Sequence, residues 1–395
     1  MIDPSMHIVH VTPYYAPAYA YGGVTRSVEG MARALARRGH RVTVLTTDAL
    51  DRDSAYAGPL DETLDGVTVR RARNASLGLR ARLNLSTPLG LRGLAGEVIP
   101  QADIVHVHEF RTVENLLVTP LAERLGKPLI LSPHGTLALS TGRSGLKRAW
   151  DRLLSPVMAR RFSGVVSLSA AEQTDAQALW KDFGAAAQFS IIPNGVDPAE
   201  YADLRGREAF RQRYGLGNGP VCLFMARLHP RKGVEPLIRA FQQAAVPEAR
   251  LVIAGPDEGL LEHLRGLAGE QVVFTGFLSG ADRLAALAGA DLLALPAVGE
   301  GLPMGVLEAM AAGLPVLISP GCNLPEVAPA GAGLEVEPTV EALAEALGTL
   351  LSDPARRARM GAAARRLVEA RFTWDAVAGQ LEDVYRSFMN PSKKD

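Results

Sequence analysis

The sequence predicts an α/β protein of two doubly wound, Rossmann-like domains, and three observations carry that prediction. Residues 6–12 read as a strand, about residues 24–38 as a helix stopped by Gly39, and residues 41–46 as a second strand; strand, helix, strand in that order implies parallel pairing. The same grammar returns late in the chain, where an apolar segment at 290–296 leads through a glycine-rich loop into a helix and then a second apolar segment at 315–319. Finally, 395 residues at 47% hydrophobic and 21% charged suffice for two cores.

Between these ends the elements follow in order. Residues 49–66 are polar and turn-rich and read as an exposed insertion; they contain Asp51 and Asp53, whose D-x-D spacing is a short match outside any strand end. Residues 67–73 are strand-like and basic, and the cations continue through 79–82. Residues 103–108 are a buried-type strand with His106 and His108 on one face, a pair that reads as core or supporting because no third ligand cluster accompanies it. Residues 129–135 form a strand ending on His134 and Gly135, at the carboxyl edge where open α/β sheets bind ligands. Residues 145–162 alternate apolar and basic residues at helical spacing, a stripe suited to an anionic surface or an ordinary amphipathic helix. Residues 164–169 read as the last strand of the first domain.

The second domain opens with the strand 221–226, which delivers Arg227 and Lys232-Gly233 at its carboxyl end, and continues with strands at 251–255 and 272–278, each reaching a glycine. Residues 339–371 are helical with a break at Asp353-Pro354, and 373–385 form a capped amphipathic helix before a polar tail at 390–395. Expected domain bounds are 1–193, 194–374, and a terminal helix from 375.

Charge is neutral overall but uneven. Residues 1–193 hold 22 Lys and Arg against 17 Asp and Glu, leaving 20 against 25 in the remainder, so the halves carry +5 and −5. The first half is thus expected to meet something anionic, though the excess is too mild for a nucleic-acid partner. Two distant cysteines give neither a disulfide framework nor a metal spacing. No apolar run reaches the length of a bilayer span and the N-terminus lacks a secretion profile, so the expectation is cytoplasmic.

The richest stretch is 296–316. Glu300 lies in the loop at a strand's carboxyl end, and Glu308 lies about one turn past a helix start marked by Pro303 and Gly305. A helix start offers unpaired amides and a positive dipole end to a phosphate. A carboxylate one turn along can accept from two vicinal hydroxyls, as a ribose offers, and one in the preceding loop from a sugar beyond the phosphates. On a plainer reading Glu300 is a solvated loop residue and Glu308 an N-terminal-turn acid that complements the dipole. The first turn, with Gly22 and Gly23, lacks the G-x-G-x-x-G fingerprint, which disfavours a nicotinamide oxidoreductase.

Glu-Gly-x-Pro at 300–303, the second acid at Glu308, and Ala-Met-Ala-x-Gly-x-Pro-Val at 309–316 resemble the signature of the retaining GT-B glycosyltransferases of family 4. Arg227 and Lys232-Gly233 match its Arg-x-x-x-x-Lys-Gly, and His134-Gly135 its His-Gly strand end. The resemblance implies two domains facing across a cleft and transfer of a sugar, with retention, from a UDP- or GDP-sugar to a glycan or lipid-linked hydroxyl acceptor. It implies that Arg227 and Lys232 grip the diphosphate, that Glu300 and His134 orient the sugar, and that Glu308 holds the ribose. Gly301, Met304, Gly305 and Val306 would bring the helix start to the donor, Gly276 and Phe277 would seat the nucleobase, and Gly22 and Gly23 would approach donor phosphates or acceptor. Fixed cations would replace any metal or other cofactor, and the terminal helix would cross back to the first domain. A nucleotide-sugar epimerase of the same fold and a non-catalytic sugar-nucleotide-binding module are the alternatives; the first would need acids or bases not identifiable here, and the second would lack the paired cations and acids. Peripheral contact with the inner face of a membrane through the 146–162 segment is a further expectation.

Overall fold

A computed structural model describes residues 5–51, 53–76, 78–79, 85–137 and 144–389. Arg52, Arg80, Arg82 and the tail at 390–395 lie outside the described residues. The chain divides into two compact units, residues 1–194 with 374–395, and residues 195–373.

The first unit holds β1 (His7–Val11), β2 (Arg41–Thr47), β3 (Asp61–Leu64), β4 (Val67–Asn74), β5 (Pro88–Leu89), β6 (Ile104–His108), β7 (Leu129–Ser132), β8 (Gly164–Ser167) and β9 (Gln188–Ile191). The sheet runs β3-β4-β2-β1-β6-β7-β8-β9, with β5 paired to β4. All pairs are parallel except β3 with β4 and β4 with β5. The central strands β1, β6 and β7 are buried along their whole length, as in a sheet covered on both faces. The helix Gly23–Arg37 buries Val28, Met31, Ala32 and Leu35 at helical spacing.

Two expectations for this unit need correction. The 49–66 segment is not wholly an exposed insertion, because Asp61–Leu64 adds an antiparallel edge strand to β4, its alternating half-burial matching a one-sided edge. And 164–169 is not the last strand: Gln188–Ile191 follows it parallel, a short segment without the apolar run that would announce it. The terminal helix Trp374–Met389 belongs to this unit, with Trp374 against Gly30, where any Cβ would lie 2.1 Å from the indole.

The second unit holds β10 (Val221–Met225), β11 (Arg250–Ala254), β12 (Val272–Gly276), β13 (Leu292–Leu295), β14 (Val316–Ile318) and β15 (Gly333–Glu335) in the order β12-β11-β10-β13-β14-β15, all parallel. From β10 the chain winds one way to β11 and β12, then returns to the other side for β13. The strand order therefore reverses between β10 and β13, and open α/β sheets bind ligands outside the carboxyl ends of the strands at such a switch point. In the first unit the reversal lies between β1 and β6.

Candidate active site

The loops leaving β10 and β13 carry Arg227, Lys232 and Glu300, the helix Met304–Ala311 that follows carries Glu308, and the two loops are fastened to each other. After β10 a turn of 3-10 helix, Pro230–Lys232, is capped by the His229 ring, which accepts from the Arg231 amide at 3.2 Å. Gly233 follows with φ +69°, and any Cβ there would sit 2.1 Å from the Pro296 carbonyl oxygen, so only glycine lets the two strand ends close up. The Val298 amide then donates to the Arg231 carbonyl at 2.7 Å. As a result Lys232 Nζ meets Glu300 Oε1 at 2.6 Å, with both side chains mostly buried.

Other braces hold the Glu300 loop. The Arg231 guanidinium donates to the carbonyls of Val298 and Gly299, Asn323 donates through its amide nitrogen to the Glu300 and Gly301 carbonyls, and the Glu300 amide donates to the Gly321 carbonyl at 2.7 Å. Arg231 and Asn323 escape sequence reasoning because their work is backbone bracing; only the left-handed φ of +55° at Asn323, which asparagine tolerates, leaves a compositional trace.

Pro303 is the N-cap of the helix Met304–Ala311, so Met304, Gly305 and Val306 form its first turn, and the Val306 amide is already turned back to the Pro303 carbonyl at 3.1 Å. Gly305 lies against the end of β10, where a Cβ would be 3.0 Å from the Met225 carbonyl oxygen. Gly301 is buried in the loop. Gly276 ends β12 at φ +75°, and Phe277 beside it is 44% exposed.

Two site residues have companions not foreseen. Arg227 pairs with Glu258 at 2.6 Å in a half-exposed bridge, a pair worth little in water and easily exchanged for another anion. Glu308 is only 3% exposed and meets Arg283 Nη1 at 2.6 Å; Arg283 also donates to the Tyr201 hydroxyl at 3.1 Å. Burial penalises the Arg283 guanidinium, but Glu308 and Tyr201 together outweigh it and raise its pKa above the ordinary value. No sequence pattern announces Arg283, which reaches Glu308 from the neighbouring helix Gly280–Gly289.

In the first unit His134 follows β7 with φ +56°, and Gly135 with φ +74°. The turn is held from two sides. Glu172 accepts from the Gly135 amide and, at 2.7 Å, from the Leu168 amide; burial raises its pKa while those bonds oppose the rise. Arg111 donates to the carbonyls of Thr136 and Leu137 at 3.0 Å while gripping Asp151 with both arms. His134 Nε2 meets His108 Nδ1 at 2.9 Å, and His108 Nε2 meets His10 Nδ1 at 2.9 Å. His106 is held by Tyr385 at 2.7 Å and Ser132 at 2.8 Å. Nitrogens of His10, His106 and His108 lie within 4.8 Å of one another, but both nitrogens of His106 and of His108 are already in these bonds. Gly22 has φ +101° and is the N-cap of the helix that begins at Gly23. The D-x-D match is a turn: Asp51 accepts from the Asp53 and Ser54 amides at 2.9 and 2.7 Å.

Family models match in two blocks, Glycosyltransferase Family 4 over residues 21–200 and Glycosyl transferases group 1 over residues 206–367. A GDP-mannose-dependent monoacylated alpha-(1-6)-phosphatidylinositol monomannoside mannosyltransferase of Corynebacterium glutamicum is 32% identical over 357 residues, covering 86% of this chain and 89% of the relative. Among solved structures, sucrose-phosphate synthase from Thermosynechococcus elongatus has a TM-score of 0.76 at 21% identity, over 98% of this chain and 100% of that one. The Anabaena protein Alr3699/HepE in complex with UDP-glucose has a TM-score of 0.75 at 22% identity, over 97% and 100%. At that identity the two structures speak for the fold, while the family models and the Corynebacterium relative speak for the family. This chain belongs to the GT-B glycosyltransferases of group 1 and family 4, and it is a glycosyltransferase.

Proposed function

We propose that the enzyme moves a hexosyl group from a nucleoside-diphosphate sugar to a hydroxyl of a glycan or glycolipid, with retention at the anomeric carbon. The observation that carries this reading is the Lys232–Glu300 pair at 2.6 Å, fixed between the ends of β10 and β13 close to the start of the helix Met304–Ala311. Lys232 there has a carboxylate on one side and is placed to take a diphosphate oxygen on another. Arg227, whose partner among the described residues is the half-exposed Glu258, turns to the same diphosphate, so that two cations meet charge that grows as the leaving group departs. Amides at Met304 and Gly305 add donors at the positive end of the helix. Glu308, its charge already balanced by Arg283, accepts from the ribose, and Glu300 orients the sugar.

No divalent ion is required on this reading, since fixed cations stand where it would. Retention follows from front-face departure and attack, the leaving phosphate taking the acceptor's proton. GDP-mannose is the first donor to test, given the Corynebacterium relative, and UDP-glucose the second, given the Anabaena complex. The first unit takes the acceptor. Leu153 and Val157 are 72% and 52% exposed beside Arg148, Arg152 and Arg160, which supports peripheral docking on an anionic membrane surface that carries a lipid-linked acceptor. No described helix is long and apolar enough to cross a membrane.

A thermal-shift panel of nucleotide sugars tests the donor site, because a ligand that binds the native state raises stability by mass action. One donor should raise the transition clearly, and Lys232→Ala and Glu308→Ala should each abolish the shift. If both variants respond like the parent, the site is elsewhere. Product NMR then decides retention from the anomeric coupling.

A further inference from the structure

The three linked imidazoles of the first unit form a chain with a direction. His10 Nδ1 meets His108 Nε2, and His108 Nδ1 meets His134 Nε2, each at 2.9 Å. A neutral imidazole has one N–H and one lone pair. Each link therefore needs a donor on one side and an acceptor on the other, and the choice at one link sets the next. Only two proton arrangements of three neutral rings satisfy both links. In the first, all three protons sit on Nδ1, so His134 ends the chain as an N–H and His10 ends it as a bare lone pair. In the second, all three sit on Nε2 and the ends are reversed.

The two terminal atoms decide between them. His10 Nε2 and His134 Nδ1 are both buried and have no hydrogen-bond partner among the described residues. His10 is fully buried inside β1, whereas His134 lies in the turn after β7, at the carboxyl edge of the sheet, where the residue is 9% exposed although its Nδ1 is closed to water. A stranded buried N–H is rarer than an under-satisfied acceptor. The donor thus belongs at the strand-end turn, on the edge where open α/β sheets bind ligands, and not in mid-strand. Charging the chain is disfavoured as well: burial lowers the pKa of His134 to about 4, burial and then the nearness of His134 lower that of His10 to about 3, and burial holds His108 well below its ordinary value. The groups packed against the chain add no counter-charge to it. His106, with ring centroids 5.3 Å from His10 and 4.5 Å from His108, is also held neutral, first by burial; Tyr385 spends its hydroxyl on His106, and Glu172 spends its carboxylate on the Gly135 and Leu168 amides.

We propose that His108 and His10 are positioning residues that lock His134 as a neutral imidazole protonated on Nδ1, so that His134 meets a sugar or acceptor oxygen as a hydrogen-bond donor and does not take the acceptor's proton. The ligand named here rests on the glycosyl-transfer reading; the tautomer does not.

The test uses the full chain labelled at its histidine nitrogens. Two-bond proton–nitrogen correlations distinguish the tautomers. The expected pattern is Nδ1–H at His10, His108 and His134, with no titration of His134 between about pH 5.5 and 8. In His108→Phe the chain is cut, His134 Nε2 loses its partner, and His134 should show a mixture of Nδ1–H and Nε2–H rings in place of one tautomer. Release of nucleoside diphosphate from the donor should then fall about tenfold. His134→Asn, whose amide N–H replaces Nδ1–H, should keep more activity than His134→Gln or His134→Ala. An Nε2–H ring or an imidazolium at His134 at neutral pH overturns the proposal, as does a stoichiometric metal in the purified protein; the parent spectrum decides this even if His108→Phe fails to fold. The predicted tautomers in a protein that no nucleotide sugar stabilises would instead sink the glycosyl-transfer reading alone.

Discussion

From its place on the helix Met304–Ala311, Glu308 reads as the acid that meets a ribose; in the fold it also neutralises Arg283 in a pair almost closed to water. The two roles are compatible because a carboxylate has two oxygens and about four acceptor directions. They make different predictions for substitution. Arg283→Ala strands a buried carboxylate and should lower unfolding stability by about 3–5 kcal/mol in a urea titration. Adding Glu308→Ala to that variant should recover part of the loss, since no charge then remains to be stranded. Additive losses would show that the pair is not coupled. Lys232 and Glu300 differ from this pair in lying on strand-end loops, and on the proposed reading their substitution should cost binding more than stability.

At the scale of the element, the site depends on two loops approaching closely enough for backbone to touch backbone. Gly233 permits this at φ +69°, and no Cβ fits between it and the Pro296 carbonyl. Gly233→Ala should cost about 1–3 kcal/mol in backbone strain and pull Lys232 from Glu300. A thermal melt without ligand should therefore fall, and the nucleotide-sugar shift should shrink more than the melt does. A variant that lost stability but kept the full shift would show that Lys232 does not need this turn. The elements themselves were largely readable. Apolar runs of strand length reaching Gly135, Gly255 and Gly276 mark the strand ends or the turns just beyond them, and the Asp353-Pro354 break separates the helices Val340–Ser352 and Pro354–Arg371. Short edge strands such as Asp61–Leu64 and Gln188–Ile191 were not, because an edge buried on one side needs no apolar run.

At the scale of the whole molecule, the chain ends by returning to the unit where it began. Glu382 on the terminal helix accepts from Arg38 Nε at 2.6 Å and meets His40 Nε2 at 3.0 Å. Burial alone would raise the Glu382 pKa, but these two bonds outweigh it and hold the carboxyl down at about 2, against an ordinary 4.5. A carboxyl whose folded pKa is depressed stabilises the fold above its unfolded pKa and loses that contribution as pH falls through the folded one. Glu382→Gln should therefore lower the melting temperature at pH 7, and the gap from the parent should narrow as pH falls from about 4.5 towards 2. A gap constant over that range would mean that the pair carries no charge-dependent stability. The sequence by itself determined the fold class and the charged residues of the donor loops, because hydrophobic period, strand-end glycines and a spaced pair of acids are local patterns. Tertiary structure alone decided which charges meet: that Lys232 takes Glu300, that Arg283 takes Glu308, and that histidines from β1, β6 and the end of β7 join into one chain. Those partners lie tens of residues apart and are brought together only by strand order, which depends on which way the chain turns after each helix.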